Sequence, residues 1–224
     1  MDDIIFCGKD KAELQKHMIE GLRILEEHDL YIKELKCYWE VTEVPVLGHI
    51  VGLGHTRMER TKVQAILDWK TLMNKNDVHV FNGFCNFYRR YVPANLKVAK
   101  PLTQLLGNVP FEWGPTEQRA FEGLKALIAS EQVVTQPLAD GPFRVEVDAS
   151  SQGLGGVLSQ KHPDGKWRTI AFISRVMSPA ELNYDIYDKE LLVIMYALDE
   201  WHPYLLHATE TFEIWTDYRN LSYF

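Results

Sequence analysis

Phe143-Arg-Val-Glu-Val-Asp-Ala-Ser150 alternates apolar and polar side chains, the pattern of a strand with one buried face. The predicted strand ends at Asp148, and the glycines Gly153, Gly155 and Gly156 follow, so a tight turn is expected there. A carboxylate carried out of a core by a strand end could begin a metal site. Asp148 is also typical of a residue that caps a turn before glycine, and this stretch alone favours the turn cap.

Two more carboxylates lie downstream. Residues 211–216 alternate as a further strand that delivers Asp217 at its end. Residues 187–204, capped by Asp185, predict a long helix that is apolar on most of its circumference and largely buried, with Glu190 in its first turns. Burying that glutamate without a partner would cost several kcal/mol.

A bound cation would relieve this cost, because hard divalent ions such as Mg²⁺ are held by carboxylate oxygens. Three converging carboxylates suit two ions about 3.5–4 Å apart, which activate water and stabilise the leaving oxygen in phosphodiester cleavage. In the alternative interpretation, Glu190 stabilises the helix N-terminus and the two aspartates cap turns. Spacing alone leaves both interpretations open.

The rest of the chain predicts an α/β protein. Helical periodicity covers residues 10–30 (with Asp10 as N-cap and Glu13 completing a capping box), 61–69, 78–91, 96–106 and 116–130. Strand patterns cover 30–36, 46–51, 143–148, 157–160, 167–174 and 211–216. Helices therefore dominate the first part of the chain, and a meander of strands begins after Pro142.

Composition is that of an ordinary globular protein, with 46% hydrophobic and 25% charged residues among 224. The three cysteines are Cys7, Cys37 and Cys85, which are far apart, so a disulfide framework and a zinc site are both unexpected. No apolar run approaches the ~20 residues that span a bilayer. The first residues lack the positive charge of a signal peptide. We expect an intracellular protein without a targeting signal or a membrane partner.

The net charge of −7 is unevenly distributed. Residues 1–54 hold 6 Lys/Arg against 11 Asp/Glu, residues 55–110 hold 9 against 3, and residues 111–224 hold 9 against 17. The middle segment is therefore +6 between segments of −5 and −8. This basic middle fits a polyanion-binding segment, and it fits chance clustering equally well.

Several segments resemble the reverse transcriptase/ribonuclease H (RNase H) region of gypsy-type long-terminal-repeat retrotransposons. Those similar to the RNase H domain are Val147–Ser150, Gly153–Gln160, Ile173–Arg175, Ser178–Tyr184, Asp188–Leu192, Trp201 with Tyr204-Leu205, and Trp215–Asp217. Those similar to the end of the palm, the thumb and the join to RNase H are Met1–Asp3, Val46–His49, Lys62-Val63, Ala65-Ile66, Asp68-Trp69, Asn86–Pro93, Pro101–Thr103, Phe111–Trp113, Ala120-Phe121 and Leu124-Lys125. The resemblance covers essentially the whole chain, in the order of the family.

The resemblance implies a palm remnant at 1–54, a thumb-like helical segment at 55–110, and an RNase H-like mixed sheet flanked by helices at 111–224. It aligns Asp148, Glu190 and Asp217 with the metal-binding carboxylates of RNase H. These would hold two Mg²⁺ ions, with Mn²⁺ as the alternative, and cleave the RNA of an RNA–DNA hybrid. It aligns Asp2 and Asp3 with the paired aspartates of the polymerase site.

The thumb-like segment would follow the backbone of the hybrid, which suits its +6 charge. Arg89 and Arg90 are its candidate phosphate contacts, and the alternative is that they are solvated charges on a packed helix. The other implied partners are the rest of the polyprotein or a second subunit. The implied location of an active element is a cytoplasmic virus-like particle.

The sequence departs from the family at several places. Tyr218 stands where the family usually has His, and the segment after Trp69 lacks the usual proline-containing turn. The resemblance further implies that the polymerase part is incomplete and that the RNase H domain is truncated at its C-terminus, before a fourth carboxylate. Two functions remain open: an Mg²⁺-dependent endoribonuclease of low activity, or a non-catalytic transposon remnant that at most binds nucleic acid through 55–110.

Overall fold

Met1–Leu53 and Gly54–Phe224 form two separate structural units in a computed structural model of the chain. The structure describes residues 4–92, 95–130, 133–150, 153–206 and 208–217, without the side chains of 95–97. Both helices and sheets are present in it, so the predicted α/β class is confirmed.

The N-terminal unit contains one long helix and one hairpin. The helix α1 spans Lys11–Glu27, and its N-cap Asp10 accepts a 2.8 Å hydrogen bond from the backbone N–H of Glu13 as predicted. Strands β1 (Glu43–Val46) and β2 (His49–Gly52) pair antiparallel. None of the described residues between 4 and 53 is buried. This unit therefore has no hydrophobic core within the described residues.

One predicted strand of this unit is wrong, and a second is confirmed only in part. Residues 30–36 contain a short 3₁₀ helix at Glu34–Lys36, and Tyr31 and Leu35 are 92% and 93% exposed because no described strand pairs with them. The predicted strand 46–51 is confirmed at residues 49–51, which lie in β2, but it is interrupted by the hairpin turn at Leu47 and Gly48, which have φ of 49° and 81°. These left-handed conformations suit a two-residue hairpin turn and interrupt the predicted strand.

The second unit begins with a helical layer. Its elements are strand β3 (His55–Met58), α2 (Arg60–Leu67), α3 (Lys75–Phe87), a 3₁₀ helix (Arg89–Tyr91), α4 (Asn95–Leu105) and α5 (Pro115–Ala129). Their buried faces share a core in which Ile66, Phe81, Leu102 and Leu124 are completely buried. α3 begins three residues before the predicted Val78, because the side chain of Asn74 caps it by accepting from Asp77 N–H at 2.9 Å.

A mixed sheet follows this layer. The short strand β4 (Val134–Thr135) pairs antiparallel with β3. The remaining strands are β5 (Phe143–Ala149), β6 (Gly153–Lys161), β7 (Trp167–Val176) and β8 (Glu213–Trp215). They form a four-stranded sheet in the order β7-β6-β5-β8, in which β8 is parallel to β5 and the other pairs are antiparallel. The predicted mixed sheet is confirmed.

Helix α6 (Ile186–Glu200) packs on one face of this sheet and is followed by the short α7 (His202–Leu205). The prediction that this helix is largely buried is wrong, since Leu191 and Met195 are 41% and 59% exposed. The predicted single helix to residue 204 also breaks at Trp201. Pro203 cannot continue the backbone hydrogen bonding of α6, so the chain starts a new turn.

The glycines predicted to form a turn after Asp148 instead belong to β6, which starts at Gly153. A Cβ atom at Gly156 would lie 3.0 Å from the carbonyl oxygen of Glu146 and 3.2 Å from Cη2 of Trp201. A Cβ atom at Gly155 would meet no atom closer than 4.0 Å. Gly156 therefore provides the space into which Trp201 packs.

We expect Gly156→Ala to lower the free energy of unfolding by about 1–3 kcal/mol, because the added methyl group overpacks the contact between sheet and helix. Gly155→Ala is the matched control on the same strand and should leave stability unchanged or slightly higher. Urea denaturation of both variants measures the difference. Equal stabilities would show that the backbone shifts freely at Gly156.

Candidate metal centre

Asp148, Glu190 and Asp217 converge at one edge of the β5–β8 sheet. One carboxylate oxygen from each lies within 4.8 Å of the others. The parallel register explains how the two aspartates meet: Glu146 of β5 lies opposite Trp215 of β8. Two residues further along, the adjacent strands therefore deliver Asp148 and Asp217 side by side, and both are exposed.

Glu190 reaches the same point from inside the domain. It begins a stripe on α6 that continues with Val193 and Ala197 and then reaches Trp201, at spacings of three and four residues. The stripe faces the sheet, so Glu190 is only 2% exposed. A carboxylate thus occupies the position of a core residue, directly beside the two strand ends.

The buried carboxylate has two hydrogen-bond donors from these strand ends. The hydroxyl of Thr216 donates to Oε2 of Glu190 at 2.8 Å, and the backbone N–H of Ala149 also donates to this carboxylate. Burial raises the pKa of Glu190, and the negative charges of Asp217 and Asp148 act in the same direction, against the two hydrogen bonds.

This arrangement fits a divalent cation. Three carboxylates within a few ångströms repel one another, and one of them has lost its water shell. Oxygen ligands of this kind are those that Mg²⁺ prefers, and bound positive charge would offset both the repulsion and the burial. The donor set is therefore compatible with a divalent metal.

Neighbouring residues occupy the two alternative roles, the turn cap for Asp148 and the negative charge at the helix N-terminus for Glu190. The hydroxyl of Ser150 accepts from the backbone N–H of Gly153 at 3.1 Å and so caps the turn after β5, whereas Asp148 lies within the strand. The acidic residue in the first turn of α6 is Asp188, which is placed to stabilise the helix N-terminus. Glu190 lies one position beyond that turn and faces the core.

Residues 113–214 match the model of the RNase H-like domain found in reverse transcriptase. This segment contains β5, β6, β7, α6, Asp148 and Glu190, and it ends within β8, three residues before Asp217. The segment belongs to the RNase H-like family of reverse transcriptases.

Known proteins similar to the whole chain agree with this assignment. The chain is 35% identical over 223 residues to the transposon Tf2-3 and Tf2-4 polyproteins of Schizosaccharomyces pombe. The match includes 99% of this chain and only 17% of the length of each polyprotein. The resemblance to the reverse transcriptase/RNase H region of retrotransposon polyproteins is thereby confirmed.

Solved structures of the foamy viral protease-reverse transcriptase share the fold. The complex with an RNA/DNA hybrid matches 94% of this chain and 28% of that protein, with a TM-score of 0.80 and 20% identity. The complex with double-stranded DNA matches 98% of this chain and 46% of that protein, with a TM-score of 0.79 and 20% identity. At this identity the likeness establishes the fold alone.

Arg89 and Arg90 connect the helical layer to the RNase H-like domain. The guanidinium group of Arg89 forms an ion pair with Glu200 at the end of α6. Arg90 donates to the hydroxyl of Tyr204 at 3.3 Å and lies over the ring of Tyr91, 5.5 Å from its centroid. Both arginines therefore have partners within the chain. Contact of either one with phosphate stays a prediction.

Asp2 and Asp3, the predicted remnants of a polymerase site, lie outside the described residues, as does Tyr218. Within the described ranges, Asp148, Glu190 and Asp217 are the one group of three or more His, Cys, Asp or Glu side chains close enough to share an ion. None of the helices in these ranges is long and apolar enough to cross a membrane.

Sequence reasoning missed the groups that hold Glu190 in place. Thr216 directly precedes Asp217, and a hydroxyl residue beside a candidate metal ligand is a signal that could have suggested this role. The hydrogen bond from the backbone N–H of Ala149 could not be predicted from the sequence, because every residue except proline carries the same donor.

Proposed function

We propose that this chain is a divalent-metal-dependent endoribonuclease that cleaves the RNA strand of RNA–DNA hybrids. The observation that carries the proposal is the convergence of Asp148, Glu190 and Asp217 within 4.8 Å on an RNase H-like sheet. Mg²⁺ is the proposed ion, with Mn²⁺ as the alternative. The foamy viral relative that was solved with an RNA/DNA hybrid supports the choice of substrate.

Asp148, Glu190 and Asp217 are the residues that would hold the metal ions. When bound, such ions supply an activated water and stabilise the leaving oxygen of the phosphodiester. The exposed carboxylates of Asp148 and Asp217 present their oxygens toward solvent, where a nucleic acid can approach. Glu190 is held by Thr216 and Ala149, so its carboxylate stays at the strand ends before any ligand arrives.

We also propose that residues 1–54, 55–110 and 111–224 correspond to the end of a palm, a thumb and an RNase H domain. Two observations support these boundaries. The structural units divide between Leu53 and Gly54, beside the first boundary, and the family match begins at residue 113, beside the second. Residues 54–224 nevertheless group as one unit, so a thumb would be continuous with the RNase H-like domain.

The test is cleavage of a hybrid with labelled RNA by the purified chain, in Mg²⁺ and separately in Mn²⁺. We expect cleavage that requires the ion and the hybrid, with no cleavage of the same RNA when single-stranded. Asp148→Asn should reduce the rate by about 100-fold or more, roughly 3 kcal/mol of transition-state stabilisation. Cleavage that survives in Asp148→Asn would contradict this site.

The second candidate function, binding of nucleic acid without cleavage, rests on the +6 charge of residues 55–110. It predicts hybrid binding that weakens as salt rises, without hydrolysis in either ion. The cleavage assay and a salt series on the same preparation therefore separate the two functions.

A further inference from the structure

The position of Asp217 depends on β8, a short strand that buries little apolar surface. β8 has three residues and pairs with β5 over three positions, at the edge of the sheet. All three are exposed, and Ile214 and Trp215 are 39% and 52% accessible. Burial of apolar surface therefore contributes little to the placement of β8, and Asp217 lies two residues beyond its end.

A stacked arginine lies beside the first residue of β8. The guanidinium carbon of Arg144 on β5 is 3.9 Å from the ring centroid of Trp215 on β8 and 3.9 Å from that of Trp167 on β7. β7 and β8 lie on opposite sides of β5, so the guanidinium group is enclosed between the two indole rings. The arginine side chain is only 16% exposed. Stacking of this kind is strongest where water is excluded.

The edges of the same guanidinium group are fixed by carboxylates. Nε of Arg144 donates to Oε2 of Glu213 at 3.3 Å, and Nη1 lies 3.6 Å from Oε1 of Glu146. Glu213 also accepts a 2.9 Å hydrogen bond from the indole N–H of Trp215. Arg144 thus contacts both the first and the last residue of β8.

We infer that Arg144, together with Trp167 and Trp215, is a positioning clamp that holds β8 against β5 and so places Asp217 at the metal centre. Arg144 is a positioning residue, because its contacts are with Trp167, Trp215 and the two glutamates rather than with the three candidate metal ligands. Its register supports this role, since it lies directly opposite Glu213, the first residue of β8. The part of the inference that concerns metal binding rests on the function proposed above.

The planar guanidinium group is essential to the clamp. It presents two faces to two indole rings while its edge groups bond carboxylates, which the compact ammonium group of lysine cannot do. Arg144→Met keeps most of the side-chain volume and removes the cationic stacking and the bonds to both carboxylates. Arg144→Lys keeps the charge and removes the two-sided stacking.

Hydrogen–deuterium exchange of the full chain, without metal, tests the clamp independently of the proposed function. In Arg144→Met we expect the amides of residues 213–217 to exchange at least about tenfold faster, while those of β6 and β7 keep their protection. The matched control is Arg168→Met, which breaks a 2.7 Å ion pair with Asp164 on the same sheet and should leave residues 213–217 unchanged. Unchanged exchange at 213–217 in Arg144→Met, or acceleration across the entire sheet, overturns the clamp.

Calorimetric titration with Mg²⁺ alone then tests the connection to Asp217. We expect Arg144→Met and Asp217→Asn each to weaken Mg²⁺ binding about tenfold or more, and the double variant to be no weaker than Asp217→Asn. Multiplied effects in the double variant, or wild-type affinity in Arg144→Met, overturn positioning through Asp217. If the wild-type chain binds no Mg²⁺, the proposed function fails and the exchange experiment still decides the clamp.

Arg144→Lys serves in both experiments should Arg144→Met fail to fold, as judged by circular dichroism. We expect a smaller acceleration of exchange and a smaller loss of Mg²⁺ affinity than for complete removal, in the same direction. Wild-type behaviour of Arg144→Lys in exchange and in Mg²⁺ binding would reject the stacked geometry as the positioning device.

Discussion

Replacing Glu190 by Gln is expected to abolish Mg²⁺ binding and hybrid cleavage while leaving the metal-free protein at least as stable as the wild type. The carboxylate is 2% exposed and lies within 4.8 Å of two others, so without a cation its charge is unfavourable. A neutral amide of the same shape removes the repulsion and can still accept the hydrogen bond from Thr216. It lacks the charge that holds a divalent ion.

The order of stabilities should therefore reverse when Mg²⁺ is added. A ligand at 100 times its dissociation constant stabilises the folded state by about 2.7 kcal/mol, and only the wild type would gain this. Thermal unfolding with and without Mg²⁺, beside the cleavage assay, measures both halves of the prediction. Asp188→Asn, an exposed change on the same helix, is the control and should keep Mg²⁺ binding. A Glu190→Gln variant that Mg²⁺ stabilises as strongly as the wild type would contradict the prediction.

Replacing Gln160 by Ala is expected to lower the free energy of unfolding by about 2–4 kcal/mol, more than Gly156→Ala. This side chain is completely buried on β6. Its Oε1 accepts from the N–H of Leu138 at 2.8 Å, and its Nε2 lies 3.1–3.3 Å from the carbonyl oxygens of Leu138, Asp140 and Gly141. One amide thus satisfies the backbone of the segment that leads into β5, and its loss leaves a cavity and several unpaired polar groups.

Gln136→Ala is the matched control on the same connecting segment. The Nε2 of Gln136 makes only long contacts, 3.4 Å to the carbonyl of His55 and 3.5 Å to the hydroxyl of Thr56. This half-buried side chain should contribute less than about 1 kcal/mol. Urea denaturation measures the free energy of unfolding of both variants. Equal losses would show that the buried hydrogen bonds of Gln160 stabilise the fold no more than the long contacts of Gln136 do.

Much of the fold could be predicted because its determinants are local. The alternation in β5 and the three- and four-residue spacings in α5 and α6 mark these elements wherever the chain is placed. Errors arose where a local pattern had no tertiary partner. The alternation at 30–36 is strand-like, yet no described strand pairs with it.

The candidate site could likewise be predicted only in part. The order of Asp148, Glu190 and Asp217, and their places at two strand ends and in a helix, could be read along the chain and matched to a family. Whether Asp148 caps a turn could not be decided, because a strand end and a turn cap have the same local sequence. The structure assigns the cap to Ser150.

Periodicity and motif order therefore predict the α/β class, the position of β5 and the set of three carboxylates. Tertiary structure alone brings those carboxylates within 4.8 Å and encloses Arg144 between two indole rings. It also pairs Arg89 with Glu200, 111 residues away, and Arg144 with Glu213, 69 residues away. The physical reason is that periodicity records which face of an element is buried, whereas the partners at such sequence distances are chosen by strand register and helix packing.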